Sequence, residues 1–168
     1  MPESPELSLN RLLANRSGPT LATAESCTGG TVASRIASLS GSSAYFLGSV
    51  VSYSNEVKHH VLSVSQSVLD ERGAVSPECA RAMAIGARAL IGSDIAVSTT
   101  GIAGPTGGTT RKPVGLVYIG IATPTWLEAF EFHFEGDRAR VIDQAAFQAL
   151  TILLEAANQA VAAEYTGT

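Results

Sequence analysis

The chain alternates between short, almost wholly apolar runs and longer segments with helical spacing, and this alternation limits the folds open to it. Three apolar runs have strand character: residues 20–24, 46–53 and 94–99. A polar or glycine-containing segment follows each run, and a helix-like pattern comes after the first two segments. Strands that alternate with helices in this way form parallel or mixed sheets with helices on both faces.

The C-terminal part departs from this alternation. Residues 114–122 and 126–134 both read as strands, and the short segment between them is a turn. Two strands joined so closely form an antiparallel hairpin. We therefore predict one α/β domain over residues 1–168, with three layers (α/β/α) and a mixed, mostly parallel sheet. Helices are expected over residues 6–16, from the turn at 26–30 to about 39, from 55 through 58, and over 65–70, 79–91 and 137 to about 163.

Composition excludes several functional classes. The 168 residues carry a net charge of −4, which argues against coating nucleic acid or an anionic membrane. No apolar stretch approaches the ~20 residues needed to cross a bilayer, and the N-terminus has no signal-peptide pattern. The two cysteines, Cys27 and Cys79, make no disulfide framework. We expect a cytoplasmic protein without nucleic-acid or membrane partners.

Three polar or glycine-containing segments leave strand ends, at residues 25–30, 54–58 and 101–113. Ligands of open α/β sheets bind beyond the carboxyl ends of the strands. The three segments are therefore expected to converge on one pocket.

The first of these segments presents a candidate nucleophile. Ser26 lies between a strand and a helix, and Gly29 and Gly30 leave room for a ligand. N–H groups of the first helical turn would stabilise an oxyanion there. The alternative is a plain helix start capped by Ser26 or Thr28. Cys27 is a rival nucleophile, because the same helix end would activate a thiol.

A serine nucleophile needs a base. No Ser-His-Asp pattern involves His59, His60 or His133, and each histidine has a surface or structural role as its alternative. Lys58 is the other candidate, because the first turn of a helix and burial both lower the pKa of a lysine. Its alternative role is that of a solvated surface charge.

The third segment, residues 101–113, has four of the sixteen glycines and the composition of a phosphate-binding loop. It lacks the spacing of a P-loop and of a dinucleotide fingerprint. Arg111, Lys112 and Arg138 could add positive charge, and Arg138 also begins a helix, whose dipole favours anions. The alternative is a surface loop. No metal-ligand pattern is present.

Taken together, the motifs resemble the CinA C-terminal domain family of nicotinamide-nucleotide amidases. The matching segments are ATAESCTGG (22–30), GSSAYFLGSVVSYSNEVK (41–58), GAVSPE (73–78), GIAGPTGG (101–108), KPVGLVYIGIA (112–122) and GDR (136–138). They span most of the chain and occur in the family's order.

The resemblance implies hydrolysis of nicotinamide mononucleotide (NMN) to nicotinate mononucleotide and ammonia, without a cofactor, in recycling toward NAD. Ser26 matches the family's nucleophile and Lys58 its lysine base. Tyr53 and Asn55 match active-site residues, with Tyr53 also placed in catalysis, and Arg138 matches a residue linked to nucleotide binding.

Further substrate contacts are expected from Thr28, Gly29, Gly30, Gly101 and Gly104. Many relatives carry a separate N-terminal domain, associated with pyrophosphatase activity or competence, which we expect this chain to lack. A homodimer is one expected assembly. Two alternative functions stay open: hydrolysis of another amide by the same mechanism, and a regulatory nucleotide-binding module without turnover.

Overall fold

A computed structural model describes residues 3–167 of the chain. The five strands are β1 (Leu21–Glu25), β2 (Phe46–Val51), β3 (Ile95–Gly101), β4 (Leu116–Ala122) and β5 (Leu127–His133). The helices are α1 (Pro5–Leu13), α2 (Thr31–Ala37), α3 (Asn55–Leu62), α4 (Gln66–Glu71), α5 (Pro77–Ile91) and α6 (Arg138–Thr166), with a short 3-10 turn at Ser42–Ala44.

The strands form one mixed sheet in the order β2-β1-β3-β4-β5. β1 pairs in parallel with both β2 and β3, whereas β4 is antiparallel to both β3 and β5. Four of the five strands therefore run in the same direction, and only β4 runs against them. The predicted mixed sheet and its C-terminal hairpin are confirmed.

Helices cover both faces of the sheet. Apolar side chains of the strands alternate between the faces, so that Leu21 packs with the cluster that includes α1, α2 and α6, whereas Ala22 packs with α5. Both side chains are fully buried. The predicted three-layer α/β/α architecture is confirmed.

Small residues let α5 approach its neighbours closely. A Cβ at Gly120 of β4 would overlap the carbonyl oxygen of Ala80, and one at Gly86 of α5 would overlap the carbonyl oxygen of Leu62 at the end of α3. The Ser98 hydroxyl donates to Ala80 O at 2.6 Å, which fixes α5 over the centre of the sheet. This packing sets the position of α3 relative to the sheet.

The helix after the first strand is shorter than predicted. The sequence favoured a helix from the turn at 26–30 to about residue 39, but α2 begins at Thr31 and ends at Ala37. Gly29 and Gly30 have φ angles of 58° and 103°, which are left-handed conformations that interrupt a right-handed helix. The residues from Ser26 to Gly30 therefore form an irregular turn between β1 and α2.

Candidate active site

Ser26 and Lys58 are in contact at one edge of the sheet. Ser26 directly follows β1, and Lys58 lies in the first turn of α3, a few residues after β2. Because β1 and β2 are parallel neighbours, their carboxyl ends lie side by side. The Lys58 Nζ is 2.9 Å from the Ser26 Oγ. The two residues are only 1% and 8% exposed, so the contact is shielded from bulk water.

The amine of Lys58 also contacts two backbone carbonyls. Its Nζ lies 2.8 Å from the oxygen of Ser52 and 3.1 Å from that of Tyr53. Burial lowers the pKa of Lys58, because the ammonium form loses its hydration, while charge interactions with Cys79 and Cys27 act in the opposite direction. The sequence had pointed to both the helix end and burial; burial is the main cause in the structure.

The start of α3 is fixed by a side-chain cap. The Ser54 hydroxyl accepts a hydrogen bond from the N–H of Val57 at 3.2 Å, which leaves Asn55 as the first helical residue. This cap places Lys58 one turn into the helix, directed toward the end of β1.

A cavity of about 280 Å³ opens above the Ser26–Lys58 contact. Its lining includes the predicted residues Ser26, Tyr53, Asn55, Lys58, Gly101, Gly104 and Arg138, together with Cys27 and Thr106. All three predicted segments contribute to it. Thr28, Gly29 and Gly30, predicted as substrate contacts, are not part of this lining.

The Arg138 side chain forms hydrogen bonds with two other segments of the site. Asp137 caps α6 by accepting from the N–H of Arg140 at 2.9 Å, so Arg138 is the first residue of the helix. Its guanidinium donates to the carbonyl oxygen of Gly104 at 2.8 Å and to the Tyr53 hydroxyl at 2.9 Å. One side chain thus links the glycine-rich loop, the loop after β2 and the start of α6.

Sequence reasoning missed the role of Glu25, which is fully buried beside the turn. Its Oε2 accepts from the N–H groups of Gly30 and Val32, at 3.0 and 3.1 Å, and its Oε1 from that of Ala33 at 2.8 Å. The Thr28 hydroxyl donates to Oε2 at 2.6 Å. The signal in the sequence was an acid at the end of an apolar strand, just before a glycine-rich helix start.

This arrangement changes where an oxyanion could bind. The N–H groups at the start of α2, which the sequence had favoured for that role, are bound to Glu25. Among residues 3–167, no oxygen accepts a hydrogen bond from the backbone N–H of Cys27 or Thr28. These two N–H groups are the remaining donors next to Ser26.

The other candidate residues have different environments. Burial raises the pKa of the Cys27 thiol to about 12, so at neutral pH the group is not a thiolate. The Nδ1 of His59 contacts the carbonyl oxygen of Val64, His60 is exposed, and His133 pairs with Glu131 on the sheet surface. None of the three histidines lines the cavity.

The two basic residues of the glycine-rich loop also lie outside the cavity lining. The Lys112 ammonium donates to the carbonyl oxygen of Arg72 at 2.7 Å, which ties the loop to the end of α4. Arg111 is exposed. Within the described residues, no group of three or more His, Cys, Asp or Glu side chains is arranged to hold a metal ion.

A larger cavity, of about 520 Å³, lies at the opposite edge of the sheet. Its lining includes Pro19 and Ile95, which stand at the amino ends of β1 and β3, and Thr123 in the turn of the hairpin. It contains neither Ser26 nor Lys58. The smaller cavity is therefore the one with the chemistry of an active site.

None of the helices within residues 3–167 has the length and apolar character to span a membrane.

Comparison of the sequence with known protein families identifies the family of this chain. The family model of the CinA C-terminal domain matches residues 4–157. The chain belongs to this family. The match includes every residue that lines the cavity above Ser26 and Lys58.

Curated relatives are named CinA-like or competence-damage inducible proteins. A CinA-like protein of Geobacter sp. (strain M21) is 55% identical over 142 residues, which is 84% of this chain and 34% of that protein. A putative competence-damage inducible protein of Halothermothrix orenii is 49% identical over 143 residues, 83% of this chain and 34% of that protein. The chain thus spans about a third of the length of these CinA relatives.

Solved CinA-family structures share the fold. A competence damage-inducible protein A (ComA) from Klebsiella pneumoniae has a TM-score of 0.85 and 36% identity, with 90% of this chain and 93% of that chain covered. CihA from Agrobacterium tumefaciens has a TM-score of 0.86 and 34% identity, with 92% and 96% covered. The three-layer CinA fold therefore extends over nearly all of this chain.

Proposed function

We propose that this CinA domain hydrolyses the carboxamide of NMN to give nicotinate mononucleotide and ammonia, with Ser26 as nucleophile and Lys58 as base. The observation that carries the chemistry is the buried contact of 2.9 Å between Lys58 Nζ and Ser26 Oγ. The choice of NMN comes from the family resemblance. A cytoplasmic setting and a route without a cofactor belong to the same proposal.

The contacts of Lys58 fit those of a neutral amine. Such an amine has two N–H bonds and one lone pair, and the carbonyl oxygens of Ser52 and Tyr53 can only accept hydrogen bonds. With both N–H bonds directed to these carbonyls, the lone pair is left for the proton of the Ser26 hydroxyl. The same carbonyls stabilise the ammonium after it has taken the proton, so Lys58 can hold the proton until the leaving group needs it.

The reaction then proceeds in two halves. The Ser26 Oγ attacks the carboxamide carbon while its proton passes to Lys58, and the tetrahedral intermediate collapses to an ester. The C–N bond breaks as Lys58 returns the proton to nitrogen, because an amide anion cannot leave unaided. Water, deprotonated by Lys58, then attacks the ester; the C–O bond breaks, Lys58 returns the proton to the Ser26 Oγ, and the acid is released.

The oxyanion needs donors that are not already bound. Glu25 occupies the N–H groups at Gly30, Val32 and Ala33, so we assign the oxyanion to the backbone N–H groups of Cys27 and Thr28. The N–H of the residue after a nucleophile has this role in other serine hydrolases. Each such donor contributes on the order of 10²–10³-fold in rate.

Arg138, Tyr53 and Asn55 are assigned to substrate binding at the mouth of the cavity. The guanidinium uses its donors on Gly104 O and the Tyr53 hydroxyl, and as a planar fork it retains further N–H groups for an anion. A phosphate at this end places the ring carboxamide toward Ser26. Tyr53, which lines the same cavity, is also assigned to assist proton transfer to ammonia.

The test is ammonia release from NMN by wild type, Ser26→Ala and Lys58→Ala. Both variants should lose at least about 10³-fold in kcat, because each removes one half of the proton-transfer pair. Arg111→Ala is the control: it removes a cationic side chain at an exposed position outside the cavity lining, and kcat should be unchanged.

Two outcomes would contradict this proposal, and each would favour a different function. Release from nicotinamide or another ring carboxamide, but not from NMN, would keep the Ser/Lys mechanism and change the substrate. Tight NMN binding with no ammonia, and with no effect of Ser26→Ala on affinity, would indicate a regulatory nucleotide-binding module.

A further inference from the structure

We propose that Glu25 is a positioning residue for the reaction, and that its carboxylate holds the turn from which Ser26 reaches Lys58. The proposal rests on the proposed role of Ser26 as nucleophile, and it holds for any amide substrate. Glu25 directly precedes Ser26 and is the one acidic side chain in the described part of the chain that is fully buried.

The Glu25 side chain is saturated with donors. Three backbone N–H groups, from Gly30, Val32 and Ala33, and the Thr28 hydroxyl all lie within 3.1 Å of its two oxygens. Backbone N–H groups can only donate, so both oxygens must act as acceptors. The carboxylate therefore closes the start of α2 from inside the protein, where the helix would otherwise present unpaired N–H groups.

Backbone hydrogen bonds at Glu25 and Ser26 fix the start of the turn to the neighbouring strands and loop. Its carbonyl oxygen accepts from the N–H of Ser52 at 2.8 Å, and the next residue, Ser26, donates its N–H to Thr99 O at 2.9 Å. Ser52 in turn supplies one of the two carbonyls that contact Lys58. One residue thus connects the turn that carries Ser26, the helix behind it and the loop that holds Lys58.

This role is one of geometry and not of charge on the base. The main influence on the pKa of Lys58 is burial, followed by Cys79 and Cys27. The pKa of the Cys27 thiol is raised mainly by burial, and the charge of Glu25 adds to that effect. Removing the charge of Glu25 should therefore leave the pH at which Lys58 loses its proton unchanged.

The decisive variant is Glu25→Gln. Each carboxylate oxygen accepts from at least one backbone N–H, so the amide NH₂ must face a donor in either orientation. We expect kcat to fall by about 10–100-fold, since misplacing a reacting group by about 1 Å has effects of this size. KM should stay within about 3-fold and the pH profile should not shift, because neither the binding groups nor the base is altered.

A milder variant guards against failure to fold. Thr28→Val keeps the side-chain shape and removes the hydroxyl, which donates to Glu25 and is also bonded to the Thr99 hydroxyl at 2.7 Å. It should lower kcat by about 3–10-fold, as expected when these two hydrogen bonds of the supporting network are lost and the Glu25 carboxylate keeps its three backbone donors. If Glu25→Gln does not fold, as judged by circular dichroism, Thr28→Val decides.

The stability control is Ser65→Ala. The Ser65 hydroxyl caps α4 by accepting from the N–H of Val68 at 3.3 Å, away from the cavity. Loss of this cap should lower Tm and leave kcat unchanged. If Glu25→Gln behaves in the same way, with reduced Tm and wild-type kcat, the residue is merely structural and the proposal is overturned.

A readout that does not depend on the substrate separates this proposal from the proposed function. With a fluorophosphonate probe, the Ser26 Oγ forms a bond to phosphorus, fluoride leaves and Lys58 takes the proton. Peptide mass spectrometry should place the label on Ser26, and labelling should be at least about 10-fold slower in Glu25→Gln, in line with the loss of alignment.

The outcomes are distinct. If wild type releases no ammonia from NMN but is labelled at Ser26, and the Glu25 variant is labelled slowly, then the substrate assignment fails and the positioning role stands. Equal labelling rates in wild type, Glu25→Gln and Thr28→Val would overturn the positioning role alone. If wild type is neither active nor labelled, Ser26 is not activated and both proposals fail.

Discussion

At the residue scale, Lys58 combines burial with satisfied hydrogen bonding. A lysine is almost never fully buried unless it is paired, because its charge loses hydration. Among residues 3–167, no carboxylate contacts its amine; the partners are two carbonyl oxygens and the Ser26 hydroxyl. Such surroundings accept either protonation state of the amine, which is what a group that takes and returns a proton requires.

The pH dependence of catalysis should report this lysine. Because burial lowers its pKa below the usual value near 10.5, kcat/KM should rise with pH through that lowered pKa and then level off. Lys58 is protonated on the acid side and cannot accept the Ser26 proton there. Lys58→Arg, which stays protonated at all accessible pH values, should be inactive throughout. A profile governed by a group near pH 6.5 would point to a histidine instead.

Cys27 should be dispensable. A thiol whose pKa is raised to about 12 has almost no thiolate at neutral pH, so Cys27→Ala should retain kcat within about 2-fold. The residue is buried, and the truncation should lower the free energy of unfolding by about 1 kcal/mol. Steady-state kinetics and thermal unfolding measure the two effects. Loss of activity in this variant, with Ser26→Ala still active, would make Cys27 the nucleophile.

The sequence was informative about these residues to different degrees. Strand ends followed by polar turns predicted that Ser26, Lys58 and the glycine-rich loop would share a pocket, since parallel strands bring their carboxyl ends together. The hydrogen bonds of Glu25 were not predictable in the same way. They depend on where α2 begins, and that start is set by the conformations of Gly29 and Gly30 in three dimensions.

At the element scale, α3 is the helix that determines where Lys58 lies. Its last residue, Leu62, has its carbonyl oxygen directly against Gly86 of α5, with no room for a methyl group between them. Lys58 is one turn earlier on the same helix. The distance between α3 and α5 therefore affects the position of the base.

Gly86→Ala tests this packing. In an ordinary helix interior the change stabilises by about 1 kcal/mol, but here the new Cβ would overlap the Leu62 carbonyl. We expect a loss of about 1–3 kcal/mol in the free energy of unfolding and a fall in kcat as α3 moves. Ala89→Gly, at an exposed position of α5, should destabilise by about 1 kcal/mol without changing kcat. A more stable Gly86→Ala protein would contradict this account.

The starts of the helices could be predicted from the sequence only in part. A short polar side chain precedes α3, α5 and α6, and Ser54, Ser76 and Asp137 each accept from a backbone N–H of the helix that follows. α2 was predicted too long. Its polar N-terminal turn resembled a capped helix, whereas the cap is the carboxylate of Glu25, which lies earlier in the chain.

At the scale of the whole molecule, the site depends on segments that are far apart in sequence. Ser26 and Arg138 lie on different elements, more than a hundred positions apart. Mixed-sheet topology brings these elements to one edge, and the guanidinium of Arg138 bridges Gly104 and Tyr53 there. The alternation of strands and helices predicts a mixed sheet but not the order of its strands, because the position of β1 between β2 and β3 depends on tertiary contacts.

Arg138→Lys tests this bridge. A lysine lacks the rigid fork needed to reach the Gly104 carbonyl and the Tyr53 hydroxyl together. KM for NMN should rise by about 10-fold while kcat stays within about 3-fold, as expected when a substrate-binding contact is lost and the chemistry is kept. Arg140→Lys, two residues further along α6 and outside the cavity lining, is the control and should leave both constants unchanged.

The central claim, that the Ser26 hydroxyl attacks the amide with Lys58 as base, is tested most directly by trapping the intermediate. Enzyme mixed with NMN is quenched in acid at early times and digested for peptide mass spectrometry. The account predicts a nicotinate-mononucleotide ester on the peptide that contains Ser26, at that residue, and none in Lys58→Ala. An adduct on Cys27, or undiminished ammonia release by Ser26→Ala, would contradict it.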